Sequence, residues 1–458
     1  MKTGREATKP PVRLMTARNM RAAALGAAML LGAGGAVAAC ARSGIPLPVT
    51  DACMPFGAQA ELAELHVFIL MDASGSMDFT TPAGVPKWLA AREALASFFA
   101  DPESEGVGAS VTFFPVIDQG VPEYCSDHAT CGEPGACDFV KWCVPSSSGD
   151  CKTDADCEAG DSCKQIGFCE NAPDQFCLPG EVACGVGQGD CLNLGYCKNR
   201  YSCEVDDYAT PIVSPGGTLP EVSSKILGAL DARRPEGATP TLPALEGAVA
   251  QAVAWSAAHP THKVIVLLAT DGLPTACDPA LESSDPSIGI AHIAGEAADG
   301  AASGVETFVI GVFAPDEQAE AQDNLDEIAA AGGTSSAIVV TAATVSEELL
   351  SALKQVRITA KACEFAIPPT DEEVDFTRVR VRITPPGGAP RFVERRGSEA
   401  ECDPATGGFF YDKPANGKTT PGRIILCAAS CALLGSASDR SIEIFTLCDN
   451  AGDTIYIP

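Results

Sequence analysis

Asp72, Ser74 and Ser76 stand at alternate positions in "LHVFILMDASGSMDF" (Leu65–Phe79), directly after an apolar run. Carboxylate and hydroxyl oxygens are the donors that a hard divalent cation such as Mg²⁺ prefers, arranged as an octahedron with part of its water retained. Gly75 lets the turn bring both serines round to one point. A second carboxylate, Asp271 in "LLATDGLP", follows another apolar run, "KVIVLLAT" (Lys263–Thr270). Between them, "EGATPTLPAL" (Glu236–Leu245) offers the hydroxyls of Thr239 and Thr241.

These residues need a frame that brings them together. Apolar runs of strand length read as strands buried on both faces. They alternate with segments of helical periodicity such as "KWLAAREALASFFAD", "LPALEGAVAQAVAWSAAH" and "SEELLSALKQVRITA". The alternation predicts an α/β fold, a mostly parallel central sheet flanked by helices. In such sheets ligand groups gather outside the carboxyl ends of the strands, so Asp72 and Asp271 should share one edge.

The constellation resembles the metal-ion-dependent adhesion site of the von Willebrand factor type A (vWA, integrin I-like) family. That site reads D-x-S-x-S, then a Thr, then an Asp. The matching residues here are Asp72, Ser74 and Ser76, then Thr239 in "GATPT", then Asp271 in "TDG". The resemblance covers 64–122 and 204–360 and implies a Rossmann-like domain in two parts. It implies Mg²⁺ (or Mn²⁺ or Ca²⁺) on the three hydroxyls, with Asp72 and Asp271 acting through water or one of them directly. One coordination position is then left for a partner's Asp or Glu. The segment "SEELLSALKQVRITA" is similar to the family's last helix, whose shift accompanies metal-ligand rearrangement in switching members.

The N-terminus carries six basic residues among its first 21, then the Ala/Gly-rich run Ala22–Ala39 ending in "VAAC". This is the pattern of a secretory signal, and the cysteine after it resembles a bacterial lipobox. The expectation is a signal peptide over 1–39, lipidation of Cys40, a Pro/Gly/Ala-rich tether over 40–63 and sorting to the outer membrane. Without the leader the chain carries about −34 formally. No basic cluster offsets that charge, which argues against nucleic acid and anionic lipid as partners.

Of 21 cysteines, 13 fall in 123–203, an insertion interrupting the α/β pattern. Their spacing suggests three four-cysteine units: Cys125, Cys131, Cys137 and Cys143; Cys151, Cys157, Cys163 and Cys169; Cys177, Cys184, Cys191 and Cys197. An exported chain without CxxC pairs points to disulfides rather than zinc. Asp154, Asp156, Glu158 and Asp161 read as a solvated acidic loop. Outside the repeats, the family's close-lying termini suggest Cys53–Cys363. Cys203–Cys277 and pairing among Cys402, Cys427, Cys431 and Cys448 complete the expected set. In integrin β subunits a disulfide-containing loop at the same place in the fold helps set ligand specificity; the resemblance implies a similar role here, the alternative being a rigid spacer or a shield against proteolysis. Residues 361–458 alternate, as in "RVRVRIT" and "SIEIFTLC", and predict a small β-rich region.

None of the five histidines lies in a recognisable catalytic motif, and phosphate loops are absent. The expectation is a non-enzymatic, lipid-anchored envelope protein that binds an acidic side chain of a protein ligand through a metal. The alternatives are a disulfide-rich structural protein without such a ligand, or a metal-assisted hydrolase lacking an evident general base.

Overall fold

The computed structural model describes residues 57–446 apart from 82–83, 147–148, 150, 280–286, 314–317, 342–344, 361–362, 371–373, 414–419 and 435–440. The chain divides into residues 1–53 and 54–458. The leader, Cys40, Cys53, Cys448 and the tether up to residue 56 lie outside the described residues. Among those described, no helix is long and apolar enough to cross a membrane.

The frame is a five-stranded parallel sheet. Its strands are β1 (Leu65–Asp72), β2 (Gly108–Phe114), β3 (Lys263–Thr270), β4 (Glu306–Phe313) and β5 (Ile338–Thr341), in the order β5-β4-β3-β1-β2. Every residue of β1 and β2 is buried, which is why these strands read as unbroken apolar runs. Successive side chains of β1 face opposite ways. Val67, Ile69 and Met71 join a core with α1 (Lys87–Ala100), α2 (Ser223–Ala232) and α6 (Val345–Ala360). Phe68 and Leu70 join the other core, with α3 (Thr241–Ala258), α4 (Ser287–Ala302) and α5 (Gln318–Ala331). The fold is α/β, a parallel sheet covered by helices on both faces.

The edge at β2 is covered. Residues 213–219 run antiparallel along it, with Val111 and Val213 exchanging backbone bonds and Leu219 N donating to Val107 O at 2.8 Å. The chain passes from β1 to β2 on one side and then to β3 on the other. Outside the carboxyl ends of β1 and β3 lies the crevice where such sheets bind ligands.

The insertion folds around sulfur. Its core contains Cys125, Cys131, Cys137 and Cys197 with Ala136, against Val121 and Phe139. Six bridges close it: Cys125–Cys137, Cys131–Cys197, Cys143–Cys157, Cys151–Cys163, Cys169–Cys184 and Cys177–Cys191. The units are not those suggested by the spacing. Cys197 pairs back to the first module, while Cys143 and Cys169 open the second and third. The reason is topological: strand Gly195–Cys197 returns between Tyr124–Cys125 and Cys137–Phe139, closing the insertion at its own base. Each module then bridges its first cysteine to its third and its second to its fourth. The three closely spaced groups of cysteine sulfurs, which could suggest a metal, all belong to these bridges.

The C-terminal region is β-rich. Strands β6 (Glu364–Ala366), β10 (Arg423–Leu426) and β9 (Phe409–Tyr411) form one antiparallel sheet. In the other, β7 (Val379–Ile383) lies between β8 (Arg391–Val393) and β11 (Ser441–Thr446). The last strand of that second sheet is Gly57–Glu61, paired to β11. These five residues therefore do not belong to a tether: Ala60 is buried in the C-terminal core. Cys363 also departs from expectation. It pairs with Cys431 rather than Cys53, because β6 packs beside β10 and brings it to the short helix Ala428–Cys431; Cys402 pairs with Cys427. Buried charges join this region to the start of β3. Lys263 Nζ lies 2.8 Å from Glu306 Oε2 and 2.5 Å from Glu364 Oε1, and Arg423 Nε lies 3.2 Å from Glu364 Oε2.

Candidate metal centre

Asp72 is the last residue of β1 and is wholly buried. Its Oδ1 accepts the backbone N–H of Ser74 at 2.8 Å, which turns the chain sharply at the strand end. Its Oδ2 accepts the hydroxyl of Thr270, the last residue of β3, at 2.7 Å. The turn puts Ser74 Oγ 3.1 Å from Ser76 Oγ. Ser76 Oγ in turn donates to Asp271 Oδ1 at 2.8 Å, joining residues 195 apart in sequence.

The third hydroxyl arrives on the loop before α3. Gly75 N donates to Gly237 O at 3.0 Å and Glu236 N to Ala73 O at 2.9 Å, so this loop is laced to the serine turn. Gly237 adopts φ +83°, a left-handed conformation that glycine takes without strain. Thr239 is held on both sides: its N–H donates to Thr275 Oγ1 at 2.8 Å, and its carbonyl accepts from Thr275 N at 3.0 Å. Thr239 Oγ1 and Ser76 Oγ lie 4.0 and 3.8 Å from the position a Cβ would take on Gly272. Thr239 and Ser76 thus reach one place, and Asp72, Ser74 and Asp271 are joined to it by the bonds above. Thr241, the other hydroxyl in this loop, begins α3. Its Oγ1 is buried and without a hydrogen-bond partner among the described residues.

Two residues of the centre carry no motif signal. Thr270 fixes Asp72. Lys87, the first residue of α1, reaches in and places Nζ 2.9 Å from Asp271 Oδ2, with both side chains buried. A lysine one place past a proline reads as an ordinary helix start; only the tertiary fold makes it part of the site.

The electrostatics are those of two buried acids sharing one counter-charge. Burial, with the charge of Asp271 added, pushes the Asp72 carboxyl up from 3.8 to about 7. Burial also raises Asp271, opposed by Lys87. Asp72 has no cationic partner among the described residues. Two buried carboxylates, one ammonium and three hydroxyls form an oxygen-rich cluster. That donor set fits a hard divalent ion with water completing its shell.

The insertion stands beside this centre. Its two ends leave the carboxyl end of β2 together, with Asp118 N donating to Arg200 O at 2.7 Å and Ser202 N to Val116 O at 2.9 Å. Ile117 and Tyr201 pack against Gly237. Arg200 Nη2 lies 2.5 Å from Glu236 Oε2, and Cys203 is bridged to Cys277 on the loop that follows Asp271. The acidic loop serves its own fold: Asp154 accepts from Cys163 N at 2.8 Å, Asp156 from Thr153 N at 2.7 Å, and Asp161 from Ser146.

Three histidines gather elsewhere. His66 is the second residue of β1, and it, His259 and His262 surround Trp255 with ring centroids 4.3, 4.0 and 5.1 Å away. They lie at the amino ends of β1 and β3, opposite the carboxylates.

No family model and no curated protein matches the chain. Among solved structures it is similar to the pilus adhesin SpaC from Lactobacillus rhamnosus GG, at 13% identity and a TM-score of 0.35, over 86% of this chain and 41% of that one. It is similar to the PilB minor pilin from Streptococcus sanguinis, as its D319A mutant, at 12% and 0.35, over 65% and 62%. A third is the manganese-loaded TRAP protein from Plasmodium vivax, at 11% and 0.27, over 56% and 61%. The chain spans less than two thirds of the length of each. Such identities and scores assign no family.

Proposed function

We propose that this chain is a vWA-type protein-binding module that uses a divalent metal, Mg²⁺ in the first instance, to capture an acidic side chain of a protein ligand. The convergence of Asp72, Ser74, Ser76, Thr239 and Asp271 at the switch point between β1 and β3 carries this reading. Hydroxyl donors leave a bound dication only partly neutralised, so the metal retains an appetite for one more anionic oxygen. The insertion, rooted at the carboxyl end of β2 and braced against the loops that carry Thr239 and Asp271, is well sited to shape what reaches the metal.

The site is read as binding rather than catalytic. The histidines at Trp255 are on the far end of the sheet, and Lys87 is held by Asp271. The module is read as a lipoprotein, anchored through Cys40 in the outer membrane of a bacterial envelope. Its disulfides suit an oxidising compartment.

Calorimetric titration of Mg²⁺, Mn²⁺ and Ca²⁺ into the chain lacking residues 1–40 tests the reading. Saturable binding is expected, lost in Asp72→Ala and in Ser74→Ala. Binding that survives both substitutions, or none in the parent chain, would contradict it.

A further inference from the structure

Lys87 is in a place that a lysine should avoid. It is the first residue of a 14-residue helix, where the macrodipole disfavours a cation, and no acidic residue accompanies it in the first turn. Its ammonium is also largely removed from water. Both penalties are offset at one contact, Nζ to Asp271 Oδ2 at 2.9 Å. Asp271 is thereby divided: Oδ1 faces Ser76 and the shared hydroxyls, while Oδ2 faces the lysine.

We propose that Lys87 is a built-in counter-charge that tilts this centre from holding a metal alone towards holding a metal together with a carboxylate ligand. The inference rests on the metal-site reading above and concerns how that site is regulated. With Lys87, the cluster of Asp72, Asp271 and one ammonium is formally one negative charge. A dication turns it one positive, and a ligand carboxylate then brings it to neutrality. Without Lys87 the same centre is neutral once the metal is bound, and a carboxylate would leave it negative. In a buried site of low effective dielectric these differences are large. Lys87 therefore weakens the metal alone and strengthens the anion that follows. By linkage, an anion that binds the metal-loaded centre raises the apparent metal affinity, and Lys87 lets it do so at a lower anion concentration. The specificity of the centre for an acidic partner then comes from the protein's own charge as well as from the ion's open position.

The test uses the full chain, with Mg²⁺ affinity measured by calorimetry in chloride and in acetate at equal ionic strength, acetate being the carboxylate probe. The parent chain is expected to bind Mg²⁺ more tightly in acetate. Lys87→Met, which keeps the stem and drops the charge, is expected to bind Mg²⁺ on the order of tenfold tighter in chloride and to show a smaller acetate effect at the same acetate concentration. Lys87→Arg keeps the charge and should retain the parent's acetate effect. It guards against misreading a folding defect, as does the thermal midpoint of each chain in chelator. Equal Mg²⁺ affinities in parent and Lys87→Met would overturn the role of Lys87 and leave the metal site standing. No Mg²⁺ uptake by either chain in either salt would overturn the metal site itself.

Discussion

The hydroxyl of Thr270 donates to Oδ2 of Asp72 at 2.7 Å, tying the tips of two neighbouring strands. The bond is made to the charged form of the acid and opposes the burial that pushes its proton affinity up. Thr270→Val keeps the shape and removes the bond. The carboxyl should rise further, and metal affinity at neutral pH should fall by about tenfold, as for other partners that orient a ligand. Calorimetry at two pH values checks this, because the loss should shrink as pH rises.

The metal-free centre should make the protein less stable in mild base than in mild acid. Asp72 has its proton affinity raised from 3.8 to about 7. The folded state thus holds the proton more tightly than the unfolded one. The contribution is fully present below about pH 4 and is lost as pH rises through about 7. Chemical unfolding in chelator across that range should show the decline. Asp72→Asn should flatten it, and Mg²⁺ should reverse it, because a bound cation favours the ionised carboxylate.

His66 acts in the opposite direction at the far end of the sheet. Burial, with His262 and His259 adding to it, lowers its pKa from 6.5 to about 4. The folded state favours the neutral ring, so this contribution is complete above about pH 6.5 and is lost as pH falls through about 4. The full effect is on the order of 3 kcal/mol. In the Asp72→Asn background, where the opposing contribution of Asp72 is gone, acid unfolding should be plainer. Replacing His66 by Phe should move its midpoint to lower pH.

The bridge Cys203–Cys277 closes 74 residues of chain and ties the insertion to the loop after Asp271. Replacing both cysteines by serine should cost about 2–4 kcal/mol of stability. It should also weaken metal binding, since Thr275, two residues before Cys277, holds Thr239 through two hydrogen bonds. Thermal melts with and without Mg²⁺ separate the two effects.

Much of the centre was legible because it is local. An apolar strand ending in Asp72, Ser74 and Ser76 announces its own turn, and Asp271 ends a second strand of the same kind. The parallel sheet followed from runs buried on both faces. What was illegible depends on long-range return. Thr270 and Lys87 gain their roles only when β3 settles beside β1 and α1 packs over the turn. The phase of the cysteine modules could not be read, because equal spacing hides that Cys197 comes back to Cys131. Gly57–Glu61 passed as tether because a short edge strand on another sheet leaves almost no periodicity. Cys363 found Cys431 through the pairing of β6 with β10, which no spacing encodes.

In the proposed function, Asp72, Ser74, Ser76, Thr239 and Asp271 together hold one divalent ion. An anomalous difference map from crystals of the chain grown with Mn²⁺ tests it most directly. A peak is expected beside the hydroxyls of Ser74 and Ser76, at the direct-ligand distance of about 2–2.3 Å, absent when Asp271 is replaced by Asn. Well-ordered carboxylates with no manganese between the serines would show that the residues converge without holding an ion.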